Sequence, residues 1–156
     1  VYNADTNQTP SAAEVVVTDT TFANNGYDGA PGAAHIKLFG FTGDATIQNV
    51  TIEGGSGGVT APNSLTLPEY GIEITGVPNN LLGAATPPMG QISIDNVTIT
   101  GQFEKNTVAI WNFGDIDGLT IDGLDLSGTE TAWGPVFNID GVTADYDASA
   151  FDIVLP

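Results

Sequence analysis

Cysteine and arginine are both absent from the 156 residues, and lysine occurs only at Lys37 and Lys105. Without cysteine there is neither a disulfide framework nor a thiolate metal site. Two bases stand against 19 acids, for a formal net charge of −17. Such a chain repels phosphate backbones and anionic lipid surfaces, so nucleic acid is excluded as a partner. No apolar run approaches the ~18 residues needed to span a bilayer, which excludes insertion as a membrane helix. Helical periodicity is missing too, since no segment of useful length repeats its apolar residues at three and four. A Val rather than a Met at position 1 leads to the expectation of a processed protein or an excised domain.

What the chain has is a recurring phrase. ISIDNVTITG (92–101) consists of two short alternating apolar runs, Ile92/Ile94 and Val97/Ile99, hinged at Asp95 and Asn96 and stopped by Gly101. ATIQNVTIEG (45–54) and LTIDGLDLSG (119–128) repeat it, and VVVTDTTFAN (15–24) is a looser copy. Aligned on the last apolar residue before the hinge, the copies sit at Val17, Ile47, Ile94 and Ile121, at intervals of 30, 47 and 27 residues. Recurrence at roughly 20–50 residues marks stacked repeats rather than a globule of one-off elements.

Between the copies lie single alternating segments: 35–41 with Ile36 and Leu38 inward, 70–75 with Ile72 and Ile74 inward, and 107–113 with Val108 and Ile110 inward. Residues 134–139 begin a fifth turn, whose register is left open because residues 139–142 also fit the hinge template. Residues 151–155 read as a closing strand. β-branched residues and glycine turns dominate, so the expected class is all-β. The hinge positions Asp19, Asn49, Asn96 and Gly123 hold residue types that tolerate left-handed backbone, as a sharp corner requires. The expected architecture is a right-handed parallel β-helix of about five turns, roughly 25 Å tall at ~4.8 Å per turn. An antiparallel sandwich accounts for the composition but not for a repeated two-strand phrase. Residues 1–14 read as a lead-in or cap, and 15–156 as one domain with loop insertions near 54–69 and 78–90.

On the segment IDNVTIT (94–100) and its copies, the chain resembles the right-handed parallel β-helices of the pectate-lyase-like superfamily and the repeats of large secreted bacterial proteins. The resemblance covers roughly residues 15–155 and implies a secreted, extracellular module. It also raises polysaccharide lyase or hydrolase activity, which such enzymes support with arginine, paired aspartates or an Asp-Pro-His group. This chain has no arginine and no adjacent aspartates, and His35 follows two alanines. Fold alone does not carry the activity.

Stacking the outward residues gives a candidate ligand-binding face. Aligning Ile36, Ile72 and Val108 places Lys37, Glu73 and Ala109 in one column with Asn138 next, and Phe39, Thr75 and Trp111 in the adjacent one, with His35 alongside. Aromatic rings beside a few hydrogen-bonding groups suit a sugar. The competing reading of Lys37 and Glu73 is an ordinary cross-strand ion pair. Carboxylates gather toward the C-terminal half, where an Asp-x-Asp-Gly turn at Asp115 and Asp117, with Asp122, could supply oxygen ligands to calcium. Asn-x-Thr triplets at Asn7, Asn49 and Asn96 match a glycosylation pattern, though the last two are hinge residues. The resulting expectation is a non-catalytic carbohydrate-binding module whose partner is a polysaccharide or other glycan. Its alternatives are a structural or adhesive segment that self-associates head to tail, and a polysaccharide-active enzyme.

Overall fold

The computed structural model describes residues 14–23, 34–39, 43–55, 67–75, 89–111, 115–140, 143–144 and 147–156. Residues 1–13 of the expected lead-in (1–14) and most of the two expected insertions (56–66 of 54–69, and 78–88 of 78–90) lie outside the described residues. Ten strands follow in order: β1 (Val15–Phe22), β2 (Ala34–Phe39), β3 (Ala45–Glu53), β4 (Tyr70–Thr75), β5 (Met89–Phe103), β6 (Asn106–Trp111), β7 (Asp115–Thr131), β8 (Phe137–Asp140), β9 (Thr143–Ala144) and β10 (Ile153–Val154). A 3-10 turn at Ala148–Ala150, capped by the Asp147 carboxylate on the Ser149 amide at 2.9 Å, is the only helical element among the described residues.

Successive strands from β1 to β9 alternate between two sheets. One runs β1-β3-β5-β7-β10, with β9 also on β7, and the other runs β2-β4-β6-β8. Among the described residues every ladder is parallel, and a single antiparallel bridge joins Gly55 to Gln102. The protein is therefore all-β, built from two parallel sheets. Val17, Ile47, Ile94 and Ile121 lie opposite one another across the first sheet. Phe137 falls opposite Val108, which assigns 137–140 to the second sheet and settles the register left open by the sequence.

The hinge has a definite geometry. Asp19, Asn49, Asn96 and Gly123 all have positive φ, at 51°, 53°, 49° and 63°. Left-handed backbone costs an ordinary L-residue roughly 1–2 kcal/mol, and Asn and Asp offset part of that through local hydrogen bonds. Here they offset it across strands. The Asn96 amide donates to Asn49 Oδ1 at 2.8 Å, and the Asn49 amide donates to Asp19 Oδ1 at 3.0 Å. The left-handed residue also changes the alternation. Ile47 and Val50 are three residues apart, yet both are buried, as are Ile94 and Val97.

The interior is made of these columns. Ile47, Ile52, Ile72, Ile74, Ile94, Ile99 and Ile110 are fully buried, and each such side chain contributes roughly 1.5–3 kcal/mol of transfer free energy. The stop at Gly101 is a second corner, with φ of 90° and only 3.1 Å between a hypothetical Cβ and the Gly54 backbone. One irregularity interrupts the first sheet, where β7 carries one more residue than β5 after Thr98. The Asp125 carboxylate, accepting from the Ser127 amide at 2.9 Å, closes that extra residue into a turn.

Two expectations are corrected. Met89 and Gly90 belong to β5 rather than to a loop, because Met89 is buried opposite Ile116. Asp115, Asp117 and Gly118 form no turn. They lie in β7, where burial of Ile116 draws the segment into the sheet and leaves Asp117 exposed.

Candidate functional site

Parallel register brings the expected columns together. Lys37, Glu73, Ala109 and Asn138 lie opposite one another on β2, β4, β6 and β8. Phe39, Thr75 and Trp111 follow in the adjacent column, though the side chains of Phe39 and Trp111 lie outside the described residues. Lys37 Nζ is 2.7 Å from Glu73 Oε2, a close ionic contact without hydrogen-bond geometry.

Accessibility departs from expectation. Glu73 is 8% exposed, Thr75 2% and Ala109 0%, so the middle of the row is covered instead of open. Alternation says which side of a strand a residue occupies, not what lies over it. Lys37, with 29% of its side chain accessible, and Asn138, half-buried, are the reachable members. Little of the Glu73 carboxylate is therefore open to a polymer.

A second ion pair was not legible from periodicity. Lys105 Nζ lies 2.9 Å from Glu69 Oε2 and 5.5 Å from the centroid of the buried Tyr70 ring. The Lys105 amide donates to the Glu69 carbonyl at 3.0 Å and the Glu104 amide to that of Pro68 at 2.8 Å, which stitches the approach to β4 onto the β5–β6 corner. Burial opposes the Lys105 charge, but the hydrogen bond to Glu69 and the neighbouring Tyr70 and Glu69 charges outweigh it and raise the ammonium pKa. Burial also pushes the Tyr70 phenol up. Both lysines of the chain are thus engaged by glutamates four residues apart, one just before β4 and one in its middle.

His35 is not an open-face residue beside Lys37. Its ring packs edge-on against Phe22 and Phe103, with centroids 6.5 and 6.3 Å away. Burial there lowers its pKa. The unfolded chain then takes up the proton first, so stability is complete above the ordinary value of about 6.5 and declines as pH falls through and below it. Urea melts are expected to show the midpoint falling from pH 7 to pH 5, less steeply in His35→Leu. Equal slopes in the two proteins would refute a neutral, enclosed His35.

The three candidate calcium ligands do not converge. Asp117 and Asp122 are five residues apart on one extended strand, on the order of 16 Å, and Asp122 instead faces Asp95 across the ladder. Asp115 stands at the start of that strand, opposite Thr143. The side-chain amides of Asn49 and Asn96, which the triplet pattern marked for glycosylation, are donors in the hinge ladder.

Comparison of the chain with family models, curated proteins and solved structures finds no match. The class that fold and site define is an all-β protein of two parallel sheets whose scarce cationic groups are held by buried glutamates.

Proposed function

We propose that this chain is a structural segment of a secreted protein, a right-handed parallel β-helix that serves as a non-catalytic scaffold. One observation carries the reading. Both lysines, the single histidine and two hinge asparagines are engaged in holding the fold: Lys37 with Glu73, Lys105 with Glu69, His35 between two phenylalanines, and Asn49 and Asn96 in the hinge ladder. Alternation of successive strands between two parallel sheets supports a coiled path, and the inward columns support continuous stacking. The burial of Glu73 and Ala109 ranks this reading above glycan contact at the Lys37 row.

The outermost strands of the first sheet support association end to end. Val16 on β1 is 55% exposed, and Val154 and Leu155 at β10 are 52% and 57% exposed. Edges that present apolar side chains beside a strand backbone invite another strand. With a net charge of −17, such association requires salt to screen the repulsion.

The experiment is affinity electrophoresis through neutral and acidic polysaccharides, with calcium or chelator, assayed for released product. The scaffold reading expects no product, and no retardation that depends on Lys37 or Glu73. Product release, or retardation lost in Lys37→Met/Glu73→Met, would overturn it.

A further inference from the structure

The hinge ladder of the first sheet has a direction. The Asn96 amide donates to Asn49 and the Asn49 amide donates to Asp19, so each rung passes its hydrogen bond toward β1. β1 is the terminal strand of that sheet, and Asp19 on it is exposed. An ionised carboxylate accepts but cannot donate, so the ladder stops there. Asparagine at the same position would tolerate the left-handed backbone and keep the bond from Asn49 while adding a donor.

The opposite edge of the sheet also carries an acid at the hinge position. β10 closes that side on β7, with Ile153 opposite Leu124. The Leu124 amide donates to the Asp152 carbonyl at 3.0 Å and the Asp152 amide to the Ile121 carbonyl at 3.1 Å, which sets the exposed Asp152 beside the hinge glycine Gly123. A second molecule added in parallel register, with its β10 along β1 of the first, continues the sheet and brings Asp152 of one to Asp19 of the other. Like charges directly opposite each other on paired strands are destabilising. Nearby charges add to the repulsion: Glu14 precedes β1, Glu53 lies on β3, Asp122 and Asp125 lie on β7, and Asp147 caps the 3-10 turn. Both lysines are held elsewhere by Glu73 and Glu69. The apolar side chains exposed at these edges, Val16 on β1 and Val154 and Leu155 at β10, are thus guarded by charge.

We propose that Asp19 is a proton-sensitive stop on end-to-end self-association. Ionised, it repels the Asp152 end of a second copy of this chain. Protonated, it accepts from Asn49 and donates to Asp152 of that copy, so the ladder runs on across the junction and one proton is taken up for each junction formed. The proposal rests on the scaffold reading and its end-to-end association, and adds the residue that controls it.

Sedimentation velocity on the whole chain, from pH 7 to pH 5 at fixed ionic strength, tests this; the range stays above the sequence pI of about 4.1. Uptake of one proton per junction makes the association constant of the parent rise about tenfold per pH unit. Asp19→Asn should associate about tenfold or more tightly than the parent at pH 7, because a charge-assisted hydrogen bond replaces a repulsion, and it should lose the pH slope. Glu53→Gln removes an exposed charge from β3 and should match the parent. Protonation of His35 is common to all variants and cancels in the comparison. Adding Val154→Ser/Leu155→Ser to Asp19→Asn should return it to monomer, which locates the contact at the β10 end. Circular dichroism establishes that each variant is folded. The proposal is overturned if Asp19→Asn is as dispersed as Glu53→Gln at pH 7, if it keeps the pH slope of the parent, or if its association survives the changes at Val154 and Leu155. The scaffold reading fails by other readouts, product release or polysaccharide retardation that depends on Lys37 and Glu73, so the two can fail separately.

Discussion

Ile94→Ala is expected to lower stability by about 3–4 kcal/mol, within the range for deeply buried aliphatic truncations. Ile94 is completely inaccessible and sits on β5, with Ile47 opposite on one side and Ile121 on the other. Both neighbours are themselves buried, and their backbones are tied into ladders on each flank. The void left by three missing carbons therefore cannot close by a small shift of one element, and the cavity contribution adds to the lost transfer energy. At roughly 2–4 °C per kcal/mol for a chain of this size, the melting temperature should fall by about 10 °C. Val17 occupies the equivalent position on β1 but is only half-buried at the sheet edge, so Val17→Ala should cost about 1 kcal/mol. Chemical denaturation of both variants checks the contrast. A loss at Ile94 no greater than that at Val17 would mean that the column is not continuously packed.

That column is legible in the sequence because it depends on two local facts. Alternation assigns a side to each residue, and an Asn, Asp or Gly at one fixed position marks the corner. The three-residue step from Ile94 to Val97 across Asn96 breaks strict alternation, and only a left-handed residue between them lets both point inward. Parallel pairing then carries a register from copy to copy, which is why Lys37 could be placed opposite Glu73 across a gap of 36 residues. The chemistry was less legible because it lies where periodicity stops. Glu69 precedes β4 and Lys105 falls in the β5–β6 corner, and no repeat sets one against the other. His35 is the second residue of its strand, and strand parity gives only the side it occupies, not its place between Phe22 and Phe103. The Asp-x-Asp-Gly segment misled for the opposite reason. Its composition favours a turn, but Ile116 and Leu119 gain more by joining the buried columns. Burial of the Glu73 row depends on what covers a sheet, which no pattern within the sheet encodes.

The Lys37–Glu73 pair separates a structural role from a binding role through an asymmetry between single and double variants. Lys37→Met leaves the Glu73 carboxylate, with 11% of its side chain exposed, enclosed without its cation. Stranding a fully buried charge costs 3–5 kcal/mol, and partial access of water at the lysine end reduces this to about 2 kcal/mol here. The loss of one of two cations from a chain of net charge −17 acts in the same direction. Removing both charges in Lys37→Met/Glu73→Met eliminates the stranded carboxylate and substitutes apolar volume. Replacement of a buried pair in this way is often neutral or stabilising, so the double variant should recover to within about 1 kcal/mol of the parent. The two single variants and the double variant form a cycle whose interaction energy urea denaturation measures directly. Additive losses would show that the ammonium and carboxylate act independently, against the 2.7 Å contact. A recovered double variant is also the right protein for the polysaccharide panel. It keeps the scaffold while erasing the charged row, so any retention that survives in it comes from elsewhere on the surface.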